Sequence, residues 1–178
     1  MKKFSKIILC LCILIFFTTG CSKSNEKLEK VNINDIKNNE KMTSDMIYNV
    51  SYIIKNPTHD KYTFKFSLES DKGNLDLGEL YSPEQTSKRK EDILITLSVS
   101  KNENDGYKVT RGASIVKDNK IIDAGITKSD FNEIKDKEIS FEDIKVENKE
   151  ITNNKVPIVN IKSKDNKDIG KISLKIEK

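Results

Sequence analysis

Tyr62-Thr63-Phe64-Lys65-Phe66-Ser67-Leu68 is the stretch on which the fold turns. Large apolar side chains occupy every second position, with hydroxyl or ammonium groups between them. Successive side chains of a strand point to opposite faces, so this period of two marks a half-buried strand. Working towards the N-terminus, Met46, Tyr48, Val50, Tyr52 and Ile54 keep the same period until Asn56-Pro57 stops it. Working towards the C-terminus, Asp71-Lys72-Gly73-Asn74 reads as a turn into a short strand carrying Leu75, Leu77 and Tyr81. Ile93, Ile95, Leu97 and Val99 alternate again up to Asn104-Asp105-Gly106. Tyr107, Val109 and Ile115 continue on odd positions to Val116. There Asp118-Asn119 predicts a two-residue hairpin turn into a strand over 121–126.

The last third changes parity. Ile139 and Phe141 are odd, Ile144 and Val146 even; Val156 and Ile158 are even, Val159 and Ile161 odd. A parity change within a strand predicts a bulge, or a boundary drawn in the wrong place. Asp165 to Asp168 reads as a hairpin turn before a last strand over 169–176. Helix signals are few. Ser82-Pro83-Glu84-Gln85 has the form of a capping box with Pro at the first helical position, predicting at most one or two turns. Residues 129–135 predict another turn of helix, with Phe131 and Ile134 as its apolar contacts.

The expected fold is therefore all-β: an antiparallel β-sandwich, Ig-like in the broad sense, of about 7–9 strands over residues 46–178. Parallel βαβ units would need periodic helices between the strands, and the sequence has none. The Cys–Trp–Cys core of true Ig domains is absent, since the chain has no Trp. Tyr48, Tyr52, Tyr62, Phe64, Phe66 and Phe141 are the expected large core residues. Lysines on the outer faces and strand ends fit edge protection.

The N-terminus reads differently. Met1-Lys2-Lys3-Phe4-Ser5-Lys6 is a short basic segment, and residues 7–17 form an unbroken apolar run of eleven. Roughly 20 apolar residues are needed to span a bilayer as helix, so the run fits the core of a secretory signal instead. Thr18-Thr19-Gly20-Cys21 follows, and it resembles the lipobox of bacterial lipoproteins. Thr19, Gly20 and Cys21 match that pattern; Thr18 departs from the usual Leu. The resemblance covers residues 1–21 alone. It implies a signal peptide over 1–20, cleavage between Gly20 and Cys21, and a diacylglyceryl group (palmitate-class chains) on the Cys21 sulfur. It also implies a protein held on the extracytoplasmic face of the cell membrane by its lipid. Two acyl chains give stable anchoring where one gives marginal binding. Residues 21–45 would then be the lipidated cysteine and a polar, mostly flexible tether. The one alternative there is a first edge strand over 31–36.

Processing would change the charge reading. The chain has 178 residues, 32 basic and 28 acidic side chains and a formal charge of +4. Removing Lys2, Lys3 and Lys6 leaves 29 basic groups, so the mature chain is close to neutral. Cys10 and Cys12 would leave with the signal, and Cys21 would be acylated, leaving no free thiol and no disulfide. Lysines far outnumber the two arginines, and Ile and Asn are abundant; this suggests an AT-rich genome and a low-GC Gram-positive host.

No catalytic constellation is expected. His59, the single histidine, sits in Asn56-Pro57-Thr58-His59-Asp60 and is expected to be an exposed loop residue. A catalytic histidine needs a nucleophile and an orienting group in space. Zinc wants three or four His, Cys or carboxylate ligands, and the mature chain would offer one His and no free Cys, so zinc is not expected. Asp71, Asn74, Asp76 and Glu79 crowd the Gly73 turn but do not match the twelve-residue calcium loop. Glu69, Asp71, Asp76, Glu79, Glu91, Asp92, Glu142 and Asp143 are candidates for paired-carboxylate hydrolysis by residue type only. There is no nucleophile elbow and no phosphate-cradling glycine loop. Lys88-Arg89-Lys90 is offset by Glu91-Asp92 and has no stacking aromatic beside it, so nucleic acid is not an expected partner. Asn49-Val50-Ser51 fits the N-glycosylation pattern, which a bacterial lipoprotein does not normally use.

The expected function is a non-catalytic β domain, tethered to membrane lipid through Cys21, that binds a protein, peptide or cell-envelope polymer. No cofactor and no metal are expected. The alternative is a small-ligand-binding lipoprotein or a tethered secreted hydrolase.

Overall fold

In the computed structural model, the described residues are 26–39, 46–88, 90–103, 106–131, 138–144, 146, 149–150 and 154–178. Eleven strands are formed: β1 (Lys27–Val31), β2 (Tyr48–Lys55), β3 (Thr63–Ser70), β4 (Gly73–Tyr81), β5 (Asp92–Lys101), β6 (Tyr107–Lys117), β7 (Lys120–Phe131), β8 (Ile139–Asp143), β9 (Lys149–Glu150), β10 (Val156–Ser163) and β11 (Asp168–Glu177). They make two antiparallel sheets. One has six strands in the order β7-β6-β5-β2-β1-β9, the other five in the order β4-β3-β11-β10-β8. The two sheets form a β-sandwich, as the alternation predicts.

The core follows from that alternation. Phe64, Phe66 and Leu68 of β3 meet Val50, Tyr52 and Ile54 of β2, Ile93, Ile95 and Leu97 of β5, and Ile172 and Leu174 of β11. Tyr52, Tyr62, Phe64 and Phe66 are fully buried, as expected. Tyr48 and Phe141 are only half-buried: they stack at 5.2 Å at the rim, with Tyr107 edge-on to Phe141 at 6.0 Å.

Three turns take the form their residues allow. Asp118 and Asn119 both have positive φ, 49° and 57°, the type I′ geometry that matches strand twist. Gly73, at φ 115°, closes the β3–β4 hairpin. Asn166, at φ 60°, turns β10 into β11. The parity change in β10 is a bulge. Pro157 pairs with Ser173 and Val159 with Ile172, which leaves Ile158 as the extra residue, so Ile158 and Val159 are both buried.

Four expectations need correction. Among the described residues the strands number eleven rather than about 7–9, because β1 and the two-residue β9 lie outside the alternating runs. The flexible tether expected across 21–45 does not hold for residues 26–39. β1 pairs with β2 along its length, from Lys27 opposite Lys55 to Val31 opposite Ser51. A single 3-10 turn, Ile33–Asp35, follows it. The chain then crosses the outer face of the six-stranded sheet and reaches the β6–β7 hairpin. There the Lys37 amide donates to Asn119 O at 2.8 Å and the Ile121 amide to Lys37 O at 3.1 Å. Ile33 and Ile36 are buried on Ile53, Leu94 and Val116, so this crossing strap makes a second small core. The first strand is therefore Lys27–Val31, earlier than the 31–36 alternative and flanked by β2 and the short β9. Residues 21–25 and 40–45 lie outside the described residues, as do 1–20.

The Ser82 capping box does not form a helix. Tyr62 N donates to Ser82 Oγ and Ser82 N to Tyr62 O, each at 2.9 Å, so the capping oxygen is already taken by a strand-like partner. Gln85 instead ties the loop down, accepting the Glu91 amide at 2.6 Å and donating to Glu91 O at 3.0 Å. The helical turn expected over 129–135 is replaced as far as Phe131 by β7, whose ladder to β6 runs on to Tyr107 opposite Phe131. Ile134 lies outside the described residues.

Candidate functional site

β1 leaves β2 early. Its last pair is Val31 with Ser51, because Asn32 caps the 3-10 turn, accepting the Asn34 amide at 3.1 Å, and the chain turns away. Among the described residues, no strand pairs with residues 48–50 of β2 on that side, while β5 covers the other side. The result is a notch of about 350 Å³ beside strand backbone that no described strand pairs, lined by Lys30, Val31, Asn32, Asn49, Ser51 and Asp143.

Each polar group in the notch is positioned by its own strand. Asp143, the last residue of β8, reaches across the sandwich. Its Oδ1 accepts the Tyr48 hydroxyl and its Oδ2 pairs with the Lys30 ammonium. Asn49 and Ser51 point to the other face of β2: Asn49 Nδ2 donates to Ser98 Oγ and Ser51 Oγ to Asn49 Oδ1, each at 3.2 Å. Burial first, then the hydrogen bond to Asp143, pushes the Tyr48 hydroxyl far above its usual range. Burial first, then the Asp143 charge, does the same to Tyr52. The Tyr52 hydroxyl is buried with no hydrogen-bonding partner among the described residues. Both phenols are therefore neutral at physiological pH, and the Asp143 carboxylate is already engaged. The site offers amide, hydroxyl and backbone groups for hydrogen bonding, with an ion pair at its mouth.

The other sequence candidates are dispersed. His59 is exposed, with Nδ1 at 2.9 Å from Thr58 Oγ1 and its ring edge-on to Tyr62 at 5.8 Å. Asp76 Oδ1 accepts the Gly78 amide at 2.7 Å and Glu79 accepts the Tyr81 hydroxyl, so the acidic residues near Gly73 serve separate contacts. No group of three or more metal-ligating side chains occurs among the described residues. Glu69, Glu91, Asp92 and Glu142 pair with Lys155 at 2.8 Å, Lys117 at 3.1 Å, Lys55 at 2.6 Å and Lys162 at 2.7 Å. Glu69 and Asp71 also line a shallow depression of about 320 Å³ with Asp168 and Lys171 at the hairpin tips. Lys90 is held by Asp60 and by Gln85 O, Lys88 is exposed, and Arg89 lies outside the described residues. Asn49 and Ser51 of the glycosylation pattern are hydrogen-bonded within the sheet, and Ser51 is buried.

Two charged groups escaped the sequence reading. Glu26 is buried at the start of the described chain, where its Oε1 accepts the Tyr62 hydroxyl and its Oε2 lies 2.5 Å from Lys178 Nζ. Arg111 is 3% exposed on the inner face of β6. Its signal was available: it holds an odd position between Val109 and Ala113, in phase with the core.

No helix among the described residues is long and apolar enough to cross a membrane. No protein-family model, curated protein or solved structure matches this chain.

Proposed function

We propose that this protein is a bacterial lipoprotein, acylated at Cys21 after cleavage at Gly20, that displays a non-catalytic β-sandwich on the extracytoplasmic face of the membrane. The domain binds an extended segment of a partner protein or peptide at the notch beside β2. One observation carries the binding reading: residues 48–50 of β2 lack a described strand partner on the side where β1 departs. A bare strand edge recruits an extended chain by backbone hydrogen bonds, and flanking side chains select its sequence. Lys30, Asp143, Asn49 and Ser51 are those flanking groups. A low-GC Gram-positive host, in which the domain would face the cell wall, fits the Lys, Ile and Asn bias.

Two measurements test the two halves. A fatty-acid analogue fed to the native host labels the wild-type chain and fails to label Cys21→Ser; an unlabelled wild type overturns the anchor. A photo-reactive amino acid at Asn49 of the full chain captures a peptide-containing product in cells, whereas the same group at Lys171, on the far sheet, does not. Equal capture at both positions overturns the notch. Capture at Asn49 of glycan alone replaces the peptide with an envelope polymer.

A further inference from the structure

The opposite edge of the sandwich holds a second arrangement, independent of the anchor and the notch. There β4 of one sheet faces β6 and β7 of the other. β4 is bulged: Phe66 pairs with Gly78 and Ser67 with Asp76. Gly78 has φ +94°, and a Cβ built on it would lie 2.7 Å from Arg111 Nη1. The glycine therefore leaves the room that the guanidinium occupies. Further along, a Cβ on Gly125 would lie 3.7 Å from Tyr81 O, so β4 and β7 pack backbone to backbone there.

The polar groups around this space do not satisfy one another. Arg111 Nε and Nη1 are buried and have no hydrogen-bonding partner among the described residues. Neither do Thr127 Oγ1 and Ser129 Oγ on β7. Thr127 is directly opposite Arg111 in the ladder, and Ser129 is the next β7 residue on the same face. The Asp76 charge acts on the guanidinium, but its Oδ1 is used by the Gly78 amide. Burial of Arg111 disfavours the charged form, and Asp76 only partly offsets this. A guanidinium has five donors and no acceptor, and a buried charge is kept in native proteins when it is paired. A cationic donor cluster with hydroxyls beside it, whose buried donors have no acceptor among the described residues, is complementary to an oxyanion.

We infer that Arg111, Thr127 and Ser129 form a binding site for a single small oxyanion group, a carboxylate or a phosphate, between β4 and β7. The bulge at Gly78 exists to admit the guanidinium that holds it. Thr127 and Ser129 are partly buried as residues, but their hydroxyl oxygens are buried with the guanidinium, so the anion is enclosed between the two outermost strands.

The chain's arginine content makes the test simple. Only Arg89 and Arg111 carry Nε–H groups, so nitrogen-15 spectra of the full chain in a non-ionic detergent show two such signals. Arg89→Lys assigns them. Sodium acetate and sodium phosphate are titrated separately against chloride of equal ionic strength. The expected result is a saturable shift of the Arg111 signal alone, at roughly millimolar anion. Saturation by acetate identifies a carboxylate group, and saturation by phosphate a phosphate group. Thr127→Val weakens the saturation about tenfold, as expected for a lost hydrogen bond to a charged ligand. Ser129→Ala supplies the second variant if Thr127→Val loses a dispersed spectrum. An Arg111 signal that neither anion moves, or a linear drift shared with Arg89, overturns the site.

Discussion

Glu26 and Lys178 sit at opposite ends of the described chain, yet Lys178 Nζ lies 2.5 Å from Glu26 Oε2. The same carboxylate accepts the Tyr62 hydroxyl, and that hydroxyl in turn accepts the Thr58 amide at 2.9 Å and the His59 amide at 3.1 Å. One buried carboxylate thus clamps both ends of the described chain and the β2–β3 loop. Glu26→Gln is expected to lower stability by about 1–3 kcal/mol, since it removes the charge from a buried, multiply bonded acceptor. Lys178→Ala, whose ammonium is partly solvated, is expected to cost about 1 kcal/mol or less. Urea midpoints at constant slope check both. A Glu26→Gln midpoint equal to wild type would show that the clamp is only geometric.

The tyrosines predict an alkaline limit to stability. Burial, reinforced by Glu26, pushes the Tyr62 hydroxyl up to about 12, and burial with Asp143 pushes Tyr48 and Tyr52 higher still. A phenol whose folded pKa lies above its unfolded value of about 10 stabilises the fold fully below pH 10. That contribution falls as pH rises from about 10 through the folded pKa, because the unfolded state releases the proton first. Absorbance at 295 nm should therefore show far less tyrosinate at pH 10 in the native protein than in urea, where about half is ionised. Denaturant midpoints should fall between pH 10 and 12. Coincident native and urea titration curves would exclude these burial effects.

Leu28 distinguishes a strand from a tether. It is 3% exposed and packs into the main core from β1. Leu28→Ala is expected to destabilise by about 2–5 kcal/mol, the range for emptying a buried leucine site. Ile36→Ala, beneath the strap on Ile53 and Leu94, should act in the same direction. A neutral result at both positions, by thermal or urea unfolding, would return residues 26–39 to a tether.

These residues also show where the sequence was legible. β3 could be read directly because Phe64, Phe66 and Leu68 all serve one core on one face. The β10 bulge was visible because Ile158 and Val159 are adjacent apolar residues in an otherwise alternating run. β1 was not visible, because Leu28 serves the inner core while Ile33 and Ile36 serve the outer cluster through a 3-10 turn. Two destinations superimposed on nine residues leave neither a period of two nor one of 3.6. The capping box at Ser82 failed for a related reason: its local signal is correct chemistry, but Tyr62, twenty residues earlier in the chain, takes the same hydroxyl. The notch could not be read at all, since it depends on where β1 stops pairing, and that is a tertiary event.

Gly78 and Arg111 should be energetically coupled. Gly78→Ala places a methyl 2.7 Å from Arg111 Nη1 and forces alanine into φ +94°. A destabilisation of more than about 1 kcal/mol is expected from the backbone alone, with the clash added to it. In an Arg111→Ala background the clash disappears and only the backbone strain remains. The double-mutant cycle should therefore give an interaction energy of about 0.5 kcal/mol or more. Strict additivity would mean that the guanidinium moves aside without penalty.

Asn119 tests the turn that carries the strap. It holds φ 57° after Asp118 at 49°, and its carbonyl oxygen accepts the Lys37 amide at 2.8 Å. The carbonyl bond belongs to the backbone, so substitution at Asn119 acts through conformation and leaves the acceptor in place. Asn119→Gly restores the Asp-Gly pair favoured in type I′ turns and is expected to match or slightly exceed wild-type stability. Asn119→Val forces a β-branched residue into left-handed space and is expected to cost about 1–2 kcal/mol. Loss of the turn should also loosen the strap, so amide exchange at Lys37 and Ile121 should accelerate in Asn119→Val and not in Asn119→Gly. Equal exchange in the two variants would separate the strap from the hairpin and leave Ile33 and Ile36 as its sole anchors.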